Sequence, residues 1–253
     1  MNKLRKRRWR LLFLLPALVG GCDFSRLPGR PKADDRPKPA NEVTDFGTLY
    51  TTHCAGCHGA DGKLGPAPPL NDPIFRAIVP DGELLHVITE GRTVVAGQKS
   101  PMPAFAQDRG GPLTDAQVKA LAEGIKKHWQ WEVDPSVSPP AYIGKAAAGA
   151  GNKDKGARVF TRACAGCHGP EGQGDKDGRP LPGGAINNQA FLALISDQAL
   201  RRLIITGRPD LGMPAYDGED GRSPDFRALT SAEINDLVAL LRYWRQGGSS
   251  NGK

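Results

Sequence analysis

Apolar residues recur at helical spacing in two separate blocks of this chain, and the two blocks run in parallel. In the first, Leu49 and Tyr50 give an apolar face to a short helix predicted over Phe46 to Thr52. A Gly/Pro-rich stretch from Gly59 to Asn71 predicts a loop. A second helix is predicted from about Asp81 to Thr89, ended by Gly91-Arg92. Thr114-x-x-Gln117 has the form of a capping box, and Val118, Leu121, Ala122 and Ile125 keep a helical period behind it. The second block repeats this pattern. Leu84, Ile88, Gly91 and Arg92 return as Leu200, Ile204, Gly207 and Arg208 at a constant shift of 116. Leu113, Thr114, Val118, Leu121 and Ile125 return at the same shift as Leu229, Thr230, Ile234, Leu237 and Leu241, and Thr230-x-x-Glu233 makes another capping box. No run of strand-forming residues stands out. The pattern predicts one all-α fold used twice, over residues 42–133 and 153–246. The connector, 134–152, carries Pro135, Pro139, Pro140 and an Ala/Gly run, and leaves open whether the domains are docked or free. Residues 247–253 are expected to be a disordered tail.

Each block contains the same six residues, Cys54-Ala55-Gly56-Cys57-His58-Gly59 and Cys164-Ala165-Gly166-Cys167-His168-Gly169. Cys-x-x-Cys-His is the attachment signature of a c-type haem, in which both thiols bond the porphyrin and the adjacent His ligates iron. The haem iron needs a second axial donor, and after Met1 the chain has only Met102 and Met213, one per block. They follow their His by 44 and 45 residues, within Pro-Met-Pro-Ala-Phe and Gly-Met-Pro-Ala-Tyr. A lone Met is ordinarily core filler, but repetition at matched spacing favours ligation. A thioether is a soft donor that raises the reduction potential. His53, His86 and His128 align with Ala163, Arg202 and Trp244, so none belongs to a shared architecture. His86 is the residue to check for alternative ligation. A zinc site would leave both adjacent histidines and both Met loops unexplained. A thioredoxin-like dithiol would want a βαβ pattern, which is absent.

Composition agrees with small haem-filled domains. Aromatic residues make up 6% of the 253, against 32 Gly and 22 Pro, so large core side chains are scarce. Domains of roughly 90 residues built this way are marginal on their own buried area, and a covalent haem supplies apolar surface. The cysteine count is five, leaving Cys22 beyond the two motifs. Ahead of it stand six basic residues within positions 1–10 and the apolar run Leu11 to Gly21. This reads as a signal peptide over 1–21, with an apolar run too short to span a bilayer comfortably. Removing it leaves 28 basic against 27 acidic residues, so most of the formal charge of +7 belongs to targeting and nothing suggests nucleic-acid binding. The first block then holds 8 basic and 11 acidic residues and the second 13 and 12, too small a difference to orient a partner. Residues 22–41, with Pro28, Pro31, Pro37 and Pro39, read as a linker whose ends lie roughly 25 Å apart as a coil.

Gly/aromatic helix, Cys-x-x-Cys-His-Gly, Pro-rich loop, Gly-Arg, Met-Pro-Ala and a final Leu-Thr-x-x-Gln/Glu helix together resemble class I cytochrome c in its tandem bacterial form. The likeness is to the dihaem subunits of respiratory oxidases and to tethered dihaem cytochromes serving quinol oxidoreductases. Val19-Gly20-Gly21-Cys22 resembles the bacterial lipobox, which implies lipidation at Cys22 and anchoring on the periplasmic side of the cytoplasmic membrane, with the outer membrane as alternative. The resemblance implies two covalent haem c groups, on Cys54 and Cys57 and on Cys164 and Cys167, with His58/Met102 and His168/Met213 as axial pairs. It implies single-electron transfer with redox proteins such as a quinol oxidoreductase, an oxidase, a soluble cytochrome or a copper protein. A loop Pro carbonyl commonly orients the proximal His in that family. Pro68 fits that role, but Gly184 aligns with it in the second block. Gly156, in the first helix of block two, corresponds to Phe46, so a different helix contact is expected in block one. The rivals are a haem subunit wired into a larger complex and a dihaem enzyme such as a peroxidase, which would need an iron with an open site.

Overall fold

The computed structural model describes residues 37–92, 102–129, 138–143 and 151–248. The expected signal peptide, Cys22, most of the Pro-rich linker and the tail beyond 248 lie outside the described residues. Among the described residues no helix is long and apolar enough to cross a membrane.

The first domain runs through α1 (Phe46–His53), α2 (Ala55–His58), α3 (Pro73–Ile78), α4 (Asp81–Glu90) and α5 (Asp115–Lys127). The second repeats the series as α6 (Lys153–Ala163), α7 (Ala165–His168), α8 (Gln189–Ala193), α9 (Asp197–Thr206) and α10 (Ser231–Arg245). Side chains start most of these helices. Asp45 caps α1, and Thr114 and Thr230 close reciprocal capping boxes on α5 and α10. The short α3 and α8 were not foreseen from periodicity, because five or six residues hold too little of a period. Their signals are Asp72 followed by Pro73 at the first helical position, and Asn188. Among the described residues the helices are joined by one two-stranded antiparallel ribbon, β1 (Asp175–Lys176) with β2 (Arg179–Pro180). Its turn residues Asp177 and Gly178 have φ of 54° and 74°, the left-handed pair that a two-residue hairpin needs.

First and last helices pack together in each domain, but the fit is built with opposite parts. In the second domain a Cβ on Gly156 would collide with the Asp236 carbonyl oxygen and crowd the Leu240 side chain, so α6 crosses α10 at backbone range. In the first domain the residue matching Leu240 is Gly124, and a Cβ there would strike the Phe46 ring. A small-on-large contact thus becomes large-on-small, which is the altered helix contact expected from Phe46.

Each domain has its own core, one around Leu49, Phe75, Leu121 and Ile125, the other around Phe160, Ile205, Leu237 and Trp244. The described residues from Ala40 onward nevertheless fall in one compact unit, in which the two domains are docked. α3 lies against α9, with Ile74 and Ile78 packed on the second core. The connector takes part: Tyr142, 2% exposed, sits in the first core with its ring 5.9 Å from Phe75. Gln198 donates to the Tyr142 carbonyl at 2.7 Å and Arg201 to the Ala141 carbonyl at 2.8 Å, tying the same segment to α9. Arg208 donates to the Gly65 carbonyl at 3.1 Å, and the Leu64 N–H donates to Asp210 at 3.1 Å.

One capping box carries a charge. Burial works to raise the Glu233 carboxyl, but hydrogen bonds from Thr230 and the Arg162 guanidinium outweigh it and hold the pKa at about 2. The stabilisation is present above the ordinary value near 4.5 and is lost as pH falls towards 2. Glu233→Gln is expected to lower the melting temperature at pH 7 and to flatten the acid loss of stability between those values, followed by helical circular dichroism.

Candidate functional site

His58 and His168 each end a single helical turn, α2 and α7, begun by a motif Cys. The imidazole Nδ1 of His58 lies 2.9 Å from the Pro68 carbonyl oxygen. In the second domain Nδ1 of His168 lies 3.0 Å from the Gly184 carbonyl oxygen. The acceptor in both is a backbone carbonyl, so the side chain at that position is free to change from Pro to Gly. An Nδ1–H committed to a carbonyl leaves Nε2 with its lone pair for a metal. Burial, aided by the nearby Arg202 and Arg92 charges, pulls the His58 pKa down to about 4 against the pull of the Pro68 carbonyl, and keeps the ring neutral.

The Met loops are anchored through the Gly-Arg pairs. Arg208 and Met213 exchange both backbone hydrogen bonds, at 2.9 and 3.0 Å, and Arg92 N–H donates to the Met102 carbonyl at 3.1 Å. Gly91 and Gly207, at φ of 69° and 66°, let the chain reverse where the Met loop passes: a Cβ on either would press into the Met-Pro backbone. Gly-Arg is therefore the clasp that returns each Met to its site.

Both residue sets, Cys54/Cys57/His58/Met102 and Cys164/Cys167/His168/Met213, line one continuous cavity of about 850 Å³. Ordinary ligand pockets run from roughly 300 to 1,000 Å³. Its walls include Leu70, Phe75, Val79, Leu84 and Ile88 from the first core and Ile204 from the second. Apolar walls, two paired thiols, two carbonyl-oriented imidazoles and two thioethers are the donor set and lining that covalent haems require. Burial pushes the Cys54 thiol up to about 11 and the Cys164 thiol up to about 12. Such thiols are unlike the low-pKa thiolates of redox dithiols, and the described residues hold no cluster of three or more His, Cys, Asp or Glu able to bind a metal ion.

The remaining histidines separate cleanly. His86 is exposed on α4 and does not line the cavity. His128 packs 4.7 Å from the Phe46 ring centroid. His53 does line the cavity, edge-on to Phe105 at 6.3 Å. The two attachment motifs also differ in cover. Around Cys167 the segment 217–228 folds back: Ser223 N–H donates to the Arg162 carbonyl, Gly221 O lies 4.0 Å from the sulfur, and Arg222 stands beside both thiols. Around Cys57, which is exposed, a Cβ on Gly56 would meet nothing within 4 Å among the described residues. Sequence comparison of the two halves did not find Tyr142 or Arg202 as cavity residues, because neither repeats: Tyr142 lies in the connector and Arg202 aligns with exposed His86.

The family model described as Cytochrome c matches residues 153–244, and that described as Cytochrome C oxidase, cbb3-type, subunit III matches residues 41–123. No curated protein matches the chain. Among solved structures, a chain of the reducing HAO-like protein complex of Kuenenia stuttgartiensis is similar at 20% identity, covering 82% of this chain and 99% of that one with a TM-score of 0.44. The two family matches fall on the two helical repeats, each with its own attachment motif. The chain thus holds two cytochrome c domains in tandem, which imply covalent c-type haem in each and haem-based electron transfer.

Proposed function

We propose that this chain is a membrane-tethered dihaem electron carrier, with Cys54 and Cys57, and Cys164 and Cys167, as thioether anchors. His58 with Met102, and His168 with Met213, would hold the two haem irons. When bound, the haems supply one-electron iron chemistry. The chain holds each imidazole neutral and oriented, clasps each Met loop with a Gly-Arg pair and encloses both sites in apolar walls. The observation that carries the reading is the single cavity shared by both donor sets, which favours passage of an electron from one domain to the other inside the molecule. The N-terminal pattern supports export, lipidation at Cys22 and a place on the periplasmic side of the membrane. The sequence supports redox proteins as partners: a quinol oxidoreductase, an oxidase, a soluble cytochrome or a copper protein.

A second reading, a fixed haem subunit of a terminal-oxidase complex, is favoured by the cbb3-type subunit III match over residues 41–123. Purification from native membranes separates the two. The carrier is expected as a lipid-modified chain with two haems, a near-infrared charge-transfer band worth two Met ligands and no carbon monoxide binding when reduced. Stoichiometric co-purification with an oxidase core would favour the subunit. A band worth one Met, or carbon monoxide binding to the reduced protein, would overturn the closed-iron carrier.

A further inference from the structure

Arg202 belongs to the second domain by sequence and to the first domain's haem site by position. It lies on α9, yet its guanidinium sits over the Phe75 ring of the first core, 3.4 Å from the centroid. Its Nη2 donates to the Pro69 carbonyl. Pro69 directly follows Pro68, whose carbonyl accepts the His58 Nδ1–H. The side chain is only 6% exposed, and its Nε has no hydrogen-bond partner. It lines the shared cavity with His58 and Met102.

A cation removed from water needs an anion or full hydrogen bonding, at a cost of several kcal/mol otherwise. Cation–π contact with Phe75 and one carbonyl offset part of this. Asp72 is close enough for its charge to act on Arg202, but its carboxylate caps α3, accepting the Phe75 N–H at 2.7 Å. No carboxylate of the described residues pairs with Arg202 directly, whereas neighbouring Arg208 is paired with Asp210 at 2.9 Å. The anion that suits a buried guanidinium in a haem cavity is a haem carboxylate.

We propose that Arg202 completes the first domain's haem site from the second domain. Its guanidinium, which lines the cavity, takes a carboxylate of the first haem, and its Nη2 holds the Pro68–Pro69 loop that orients His58. Arg202 is thus a positioning residue whose charge favours the reduced iron of the first domain. The inference rests on the axial pairs proposed above. It makes the first haem's potential depend on docking of the second domain.

The test uses the holoprotein in a Met213→His background, in which the second haem's wave falls to low potential and separates from the first. If Met213→His moves no wave, the axial assignment fails and the Arg202 proposal falls with it, as a recognisably different result. Arg202→Gln is expected to shift the first haem's wave to more negative potential, with a changed propionate bending band in resonance Raman spectra. Arg202→Lys is expected to recover most of the potential shift. Ile74→Ala trims the α3–α9 contact outside the cavity and keeps the cation, so it is expected to lower the melting temperature while leaving the wave in place. A first-haem wave unmoved by Arg202→Gln, with only stability reduced, would make Arg202 an interface packing residue and overturn the proposal. A shift confined to the second haem's wave would overturn it equally.

Discussion

Met213→Ala is expected to yield a protein in which half of the haem binds carbon monoxide on reduction and the near-infrared charge-transfer band falls by half. The backbone of Met213 is held by two hydrogen bonds to Arg208 that do not involve its side chain. The loop therefore stays in place when the thioether goes, and the loss is confined to the sixth ligand. Loss of a neutral sulfur donor also lowers the potential, by a substantial part of the ~0.8 V range that axial ligands span. Potentiometric titration of wild type and variant, with carbon monoxide difference spectra, checks both effects. Full occupancy by carbon monoxide, or none, would contradict one Met per iron.

Gly156→Leu is expected to prevent the second domain from closing, with a loss of about 3 kcal/mol or more. The obstacle is backbone, since a Cβ at this position meets the Asp236 carbonyl of α10. Trimming Leu240 to Gly should therefore fail to rescue it. In the first domain the obstacle to a Cβ at Gly124 is a side chain, the Phe46 ring. Gly124→Leu should accordingly be damaging alone and largely relieved by Phe46→Gly. Melting curves of the two single and two double variants check the contrast. Equal rescue in both domains would mean that the helices cross at the same separation.

What was legible in the sequence was whatever the two halves share. Leu84 and Leu200, the Thr114 and Thr230 caps, the Cys-x-x-Cys-His turns and the Gly-Arg pairs announce themselves because each occurs twice at a fixed offset. What was not legible is what the halves do not share. Tyr142 lies in a Pro-rich connector with no helical period, and nothing in its neighbours says that it will fill the first core. Arg202 sits where the first domain places exposed His86, and only the docked arrangement gives it a buried destination. The role of the Pro68 position was masked by looking at the side chain, since the working group is the carbonyl and Gly184 supplies it as well. The helices α3 and α8 are announced only by a cap residue and, for α3, a following proline.

The reversed fit of the helix crossings bears on how this chain assembles. A tandem repeat risks pairing the first helix of one half with the last helix of the other, a known hazard of chains built from similar units. Here such an exchange would set Phe46 against Leu240 on one side and Gly156 against Gly124 on the other. The first pairing has no room, and the second leaves a hole. Each half thus recognises its own closing helix by size, and a chain with two identical attachment motifs keeps its halves in register.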